Sequence, residues 1–173
     1  DEEHLYQLFT SDDFQGWKMI IAPHDITGSH IDQIINRFEG AVKYSEINSA
    51  SSESRILIID NIGLLNKIYR YGHLAYIGGG FGSGIHNTLE PAAFGLPIIF
   101  GPKYQKFVEA NNLVENGGGF TCSNPAELQS TFQTLNDPTF YRKSSESVQS
   151  FMESNRGATE DVMEVVSELI MIP

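Results

Sequence analysis

Residues 74–102 read LAYIGGGFGSGIHNTLEPAAFGLPIIFGP, and this stretch decides the fold class. It contains two short apolar runs, residues 74–77 and 97–100, with a glycine-rich turn and a helix candidate at residues 88–94 between them. Strand, turn, helix and strand in this order are typical of a βαβ unit with parallel strands. Because both runs are apolar on successive residues, we expect helices to cover them on both faces.

The same alternation extends along the chain. Apolar runs at residues 19–22 and 56–59 predict two more strands, residues 41–47 predict a weaker strand, and residues 119–122 predict a short edge strand. The helix candidates are residues 1–9, 30–38, 64–71, 88–94, 107–115, 125–135, 139–154 and 159–171. The pattern predicts a Rossmann-like, three-layer α/β/α fold with a mostly parallel sheet and a helical carboxyl terminus.

The length of 173 residues is enough for one domain with a sizeable core. We expect an α/β core over residues 1–138 and carboxyl-terminal helices over residues 139–173. In the last helix candidate, an apolar stripe is expected to pack on the rest of the domain. The stripe consists of Val162, Val166, Leu169 and Ile170.

Composition excludes several classes of protein. The single Cys122 rules out an internal disulfide framework and a multi-cysteine zinc site, and it suits a reducing compartment. With 11 Lys and Arg against 22 Asp and Glu, the net charge of −11 argues against a nucleic-acid partner. No apolar run approaches the roughly 20 residues that span a bilayer, and no signal peptide is evident. The chain opens on DEEH without an initiator Met, so we expect it to be part of a larger protein.

The glycine-rich turn, GGGFGSGIHN at residues 78–87, has two interpretations. Glycines let backbone N–H groups approach an anion, and the helix that follows offers more such groups, so a phosphate fits there. Alternatively, the turn is a flexible connector. An ATPase is disfavoured because no Gly-Lys-Ser/Thr is present, and a dinucleotide fingerprint belongs after the first strand.

Glu90 also has two interpretations. It stands three residues after Asn87, which is the spacing of a helix capping box. Alternatively, its carboxylate accepts hydrogen bonds from the two hydroxyls of a ribose, because it presents two acceptor oxygens to two donors.

The sequence of this region closely resembles that of one protein family. GIHNTLEP at residues 84–91, followed by GLPIIFGP at residues 95–102, is similar to the C-terminal domain of 3-deoxy-D-manno-octulosonic acid (Kdo) transferases, which have the GT-B fold. IAPHD at residues 21–25 and DNIG at residues 60–63 resemble two further family segments. The resemblance spans about residues 1–122, and the remaining residues agree only in helical character.

The resemblance implies a domain that binds the donor CMP-Kdo along the carboxyl ends of the strands. Glu90 would hold the ribose, Ile62 and Gly63 would flank the cytosine, and the phosphate would lie against the GIHNT segment. The implied substrate-binding residues are Pro23, His24, Ile62, Gly63, Gly84, His86, Asn87, Thr88 and Glu90. His4, His30 and His73 lie outside these motifs, and we expect them to be solvated.

The family also implies an activity for the parent protein. It would transfer Kdo to a lipid A precursor in lipopolysaccharide biosynthesis, with inversion and without a metal or other cofactor, at the cytoplasmic face of the bacterial inner membrane. The general base of the family belongs to the N-terminal domain, so no catalytic residue is expected in this chain, which alone would be inactive. No Asp-x-Asp and no His/Asp cluster at ligand spacing is present, which agrees with metal-free chemistry.

Three departures from the family pattern stand out. Leu64 replaces an acidic residue that many relatives carry after Asp-x-x-Gly, and His24 stands alone where an Arg-His pair is usual beside Pro23. Family members also have a strand and a Gly-Ser turn upstream of the stretch that resembles residues 1–9. The central strand of the sheet is therefore expected to be missing.

Three other functions remain open from the sequence. The chain could be the donor domain of another GT-B enzyme, such as a UDP-sugar transferase or an epimerase. It could be a non-catalytic nucleotide-binding module. The NAD-binding half of a dehydrogenase is weaker, because the fingerprint glycines are misplaced.

Overall fold

The architecture follows from short parallel strands that alternate with helices. The computed structural model describes residues 1–11, 14–49 and 53–170. The strands are β1 (Met19–Ile21), β2 (Val42–Lys43), β3 (Ile56–Ile58), β4 (Ala75–Ile77), β5 (Ile98–Phe100) and β6 (Gly119–Thr121). The helices are α1 (Glu2–Phe9), α2 (Gly28–Arg37), α3 (Leu65–Ile68), α4 (Leu89–Ala92), α5 (Val108–Glu115), α6 (Pro125–Leu135), α7 (Pro138–Ser154) and α8 (Ala158–Ile170). The predicted α/β class with parallel strands and a helical carboxyl terminus is confirmed.

The strands form two three-stranded sheets. One has the order β1-β3-β2 and the other β4-β5-β6, and every pairing is parallel. In the described residues β1 and β4 are edge strands, and both line a cavity of about 1530 Å³. Ile20 of β1 and Tyr76 of β4 are among the lining residues of this cavity. The expected absence of a central strand stays a prediction.

The second sheet carries the better-covered core. Ile98, Ile99 and Phe100 of β5 are completely buried, because helices pack on both faces of this central strand. Leu113 of α5 and Val148 of α7 belong to the cluster on one face. In the first sheet the expectation of full coverage is wrong for β1, where Ile20 is 41% exposed toward the cavity.

Polar contacts hold helix α7 at its own start and at the turns of Gly95 and Gly117. Its first turn is capped by the Asp137 carboxylate, which accepts from the Phe140 N–H at 2.8 Å. The Ser144 and Ser145 hydroxyls then donate to the carbonyls of Gly117 and Gly95, at 2.9 and 2.7 Å. These carbonyls belong to turns that end helices, so α7 satisfies backbone acceptors that the helix ends leave open.

Two predictions about elements are wrong. Residues 41–47 form a strand only at Val42–Lys43, and Tyr44–Ser49 is a 3-10 helix, because the Ser45 N–H and hydroxyl both donate to Asp60 and turn the chain. The apolar stripe of α8 is largely exposed: Val162 is 60% and Ile170 76% exposed, and only Val166 is half-buried. The Leu169 side chain lies outside the described residues.

A helix that crosses a bilayer must be both long and apolar. Across the described residues, none of the helices combines the length and the apolar character needed to cross a bilayer.

Candidate functional site

The predicted site residues lie after the carboxyl ends of parallel strands. His24 follows β1, Ile62 follows β3, and His86 follows β4. Ligands of α/β proteins bind outside this edge of the sheet. Seven of the nine predicted residues line the cavity between the sheets, and Gly84 and Thr88 do not. The seven are Pro23, His24, Ile62, Gly63, His86, Asn87 and Glu90.

The glycine-rich turn is a compact loop closed by its own backbone. The N–H groups of Gly82 and Gly84 donate to the Gly79 carbonyl at 2.8 and 3.2 Å, and the His86 N–H donates to Gly78 at 3.1 Å. Gly79 has a φ of +90°, and a Cβ there would stand 2.3 Å from the Gly84 carbonyl oxygen. The loop therefore requires glycine at this position, and the N–H groups of Gly82 and Gly84 are already used within it.

Asp1 ties the start of α1 to this loop. Its carboxylate accepts from the Gly79 N–H and from the Tyr76 hydroxyl, both at 2.8 Å. Burial, and to a smaller degree the nearby Cys122, raises the pKa of Tyr76, so this hydroxyl stays a donor. No sequence pattern predicts the Asp1 contact, because its partners lie 75 and 78 residues further along the chain.

Two histidines meet at the mouth of the cavity. The rings of His24 and His86 stack with their centroids 5.0 Å apart and an angle of 13° between planes. His24 belongs to the first sheet and His86 to the second, so this pair joins the two sides of the candidate site. Both side chains are exposed, which leaves their polar atoms accessible to a ligand.

Glu90 is held by a side chain and not by a capping box. Its carboxylate accepts from the Asn87 side-chain amide at 3.0 Å, whereas a capping box would use the Asn87 backbone N–H. The Asn87 side-chain oxygen accepts from the Leu89 N–H at 2.9 Å. Burial, followed by the charge of Glu90, raises the pKa of Tyr69 to about 12. Glu90 therefore acts as an exposed carboxylate beside a phenol in the cavity.

Thr88 is a buried polar residue at the start of the short helix α4. Its side chain is completely buried, and Oγ1 has no hydrogen-bond partner among the described residues. Leaving a buried hydroxyl unpaired costs roughly 1–3 kcal/mol, so Thr88 destabilises the free protein. Helix α4 spans only Leu89–Ala92, shorter than the predicted residues 88–94.

The other histidines are partly or largely exposed, as expected, but each also has a contact within the protein. His4 Nδ1 is buried, and its ring packs against Phe81 with a centroid distance of 4.4 Å. His73 stacks on Tyr141 at 3.7 Å, and partial burial lowers its pKa. His30 Nε2 lies 3.1 Å from the Glu2 carboxylate. All three have structural partners that sequence spacing does not reveal.

Sequence comparisons with known proteins find relatives of this chain. No protein-family model matches the chain. A bifunctional glycosyltransferase/methyltransferase of Fusobacterium nucleatum is 32% identical over 119 residues, which are 66% of this chain and 18% of that protein. A 3-deoxy-D-manno-octulosonic acid transferase of Aquifex aeolicus is 30% identical over 118 residues, 66% of this chain and 32% of that protein. The chain thus matches about a third or less of the length of these curated relatives.

A solved structure agrees as well. The crystal structure of the C-terminal CMP-Kdo binding domain of WaaA from Acinetobacter baumannii superposes with a TM-score of 0.72 at 18% identity, covering 87% of this chain and 80% of that one. The chain therefore has the Rossmann-like fold of the C-terminal half of a GT-B protein. The sequence matches confirm the family that the HNTLEP motif predicts: the chain is a homologue of the 3-deoxy-D-manno-octulosonic acid transferases.

Proposed function

We propose that this chain is the donor-binding half of a Kdo transferase and that it binds CMP-Kdo in the cavity between the two sheets. The observation that carries the proposal is the convergence of seven motif residues from three different strand ends on that one cavity. A sheet edge of this kind is where α/β proteins bind nucleotides, and the similar solved structure, a CMP-Kdo binding domain, supports a cytidine nucleotide.

The residues suit the parts of a cytidine nucleotide. Glu90 offers a carboxylate to the ribose hydroxyls, and its contact with Asn87 holds it in place without a capping role. Ile62 is 88% exposed beside Gly63, which provides an apolar surface for a base. The exposed His86 lines the cavity on the segment assigned to the phosphate, whereas the Thr88 side chain is buried outside it.

In the parent protein, this half would stabilise the departing CMP phosphate during inverting transfer of Kdo to a lipid A precursor. Transfer also needs a base for the acceptor hydroxyl, which we assign to another domain, and no metal is required by this scheme. We place the parent enzyme at the cytoplasmic face of the inner membrane, where the acceptor is made.

Calorimetric titration of the chain with CMP, UMP and cytidine tests the proposal. We expect CMP to bind, UMP to bind more weakly, and Glu90→Ala to weaken CMP binding by roughly 1–3 kcal/mol, because a charged acceptor of two ribose hydroxyls is lost. Glu115→Gln, an exposed change at the end of α5, is the matched control and should leave affinity unchanged.

Other outcomes would identify the rival functions. Equal affinity for CMP and UMP would favour a different GT-B donor domain. If Glu90→Ala binds CMP as the unsubstituted chain does, the ribose assignment is wrong.

A further inference from the structure

Lys103 lies beside the glycine-rich loop, on the connection between β5 and α5. Its ammonium group donates to the Gly82 carbonyl at 2.7 Å, and its backbone N–H donates to the Gly80 carbonyl at 3.0 Å. These two hydrogen bonds fix one lysine at two points of the loop. The end of β5 is tightly packed there, because a Cβ on Gly80 would stand 2.6 Å from the backbone of Gly101. The position of the ammonium group is therefore set by backbone contacts.

The charge of Lys103 is not neutralised by the protein. The four ion pairs recorded in the described part of the chain involve other residues, and the Lys103 side chain is exposed. An ammonium group has three donors, and the bond to Gly82 uses one of them. A chain with a net charge of −11 thus keeps an uncompensated cation with remaining donors at the loop that follows β4.

A cation at this place adds to the basic residues at the carboxyl ends of the strands. Directly after Pro23 the chain has His24 and then the acidic Asp25. Lys103 approaches the same sheet edge from the second sheet, since it follows the carboxyl end of β5 as His86 follows that of β4.

We propose that Lys103 binds an anionic group of the donor at the glycine-rich loop, and this rests on the proposed binding of a CMP-linked sugar acid. The group is either the phosphate or the sugar carboxylate, which share the chemistry that an ammonium group recognises.

The test is titration of the chain and of Lys103→Met with three probes: cytidine, CMP and CMP-N-acetylneuraminate. The last is a CMP-linked sugar acid with a carboxylate. Lys106→Met is the matched control, because it removes the same charge from an exposed position three residues away. We expect Lys103→Met to leave cytidine affinity unchanged and to weaken binding of an anionic probe about threefold to tenfold.

The pattern of losses identifies the anion. A loss for both CMP and the sugar-acid nucleotide assigns Lys103 to the phosphate, whereas a loss for the latter alone assigns it to the carboxylate. An equal loss for cytidine would mean that Lys103 only supports the loop, and no loss for any probe would also overturn the proposal.

Two further measurements keep the result interpretable. Thermal unfolding reports whether Lys103→Met is folded, and Lys103→Arg, which retains the charge, should restore most of the affinity for the anionic probes. If the unsubstituted chain binds none of the three probes, the proposed function fails with this inference. If it binds them as the Lys103→Met variant does, only the inference fails.

Discussion

Thr88 separates the stability of the free protein from the binding of a ligand. Its side chain is completely buried, yet Oγ1 lacks a partner in the described residues, and this is unfavourable in the free protein. Thr88 does not line the cavity, so its hydroxyl is expected to cost stability without contacting a ligand there.

Thr88→Val should raise the free energy of unfolding and leave the affinity for CMP unchanged. Valine has nearly the same shape without the hydroxyl, so we expect a gain of about 1 kcal/mol in urea unfolding. Thr121→Val, an exposed change at the end of β6, should alter neither quantity. A variant that loses stability would show that the Thr88 hydroxyl has a partner within the folded protein.

The sequence predicted which residues belong to the candidate site, but it did not predict their side-chain contacts. The HNTLEP motif marked Asn87, Thr88 and Glu90 as candidate site residues. It could not reveal that Glu90 bonds to the Asn87 side chain and influences Tyr69, because that phenol comes from a different helical segment. Lys103 was missed for the same reason, since a lysine after a Gly-Pro turn carries no signal of its own.

Among the elements, the glycine-rich loop depends on close contact with the end of β5. A Cβ on Gly80 would lie 2.6 Å from the Gly101 backbone, whereas one on Gly82 would lie 3.4 Å from the Gly79 carbonyl. The two glycines therefore differ in what a methyl group would displace.

Gly80→Ala should destabilise the chain, and Gly82→Ala should be tolerated. The first forces backbone movement at the junction of two segments, for which we expect a loss of roughly 1–3 kcal/mol in urea unfolding. The second meets only ordinary van der Waals contact. Equal stability of the two variants would contradict the close approach of the loop to β5.

His73 links the turn before β4 to helix α7 through its stack on Tyr141. Burial lowers the pKa of His73 below its usual 6.5. The unfolded chain therefore binds this proton first as pH falls, so stability is lost below about pH 6.5, until the folded form is protonated too.

His73→Phe should remove this part of the acid sensitivity while it retains an aromatic ring against Tyr141. Urea unfolding at pH 7.5 and pH 5.5 measures the effect. We expect the stability of the variant relative to the unsubstituted chain to increase as pH falls. A difference that is the same at both pH values would mean that His73 has the same pKa in both states.

The elements themselves were largely predictable, because apolar runs and glycine stops are local signals. The strands at residues 19–22, 56–59 and 97–100 and the helix Pro125–Leu135 appeared at or within a residue of the predicted bounds. Residues 41–47 were not predictable, because their path is set by Asp60, which lies in another part of the chain.

For the molecule as a whole, binding and transfer are expected to separate. The purified chain should show no turnover with CMP-Kdo and a lipid A-type acceptor, even where it binds the nucleotide. Holding donor and acceptor in one closed cleft is worth about 7–11 kcal/mol of the barrier, and a general base typically adds about 10²–10⁴-fold. Assay of the chain alone and mixed with a separately expressed N-terminal half tests this, and turnover by the chain alone would contradict it.

The edge strands β1 and β4 bear on association between copies of the chain. An unpaired strand edge is a template for pairing with another molecule, and among the described residues β1 and β4 each pair with one strand only, beside apolar residues such as Ile20. The charge of −11 keeps copies apart, but only over a Debye length, which shortens to about 10 Å at 0.1 M salt. The colloidal stability of the chain therefore rests on long-range repulsion and falls as ionic strength rises.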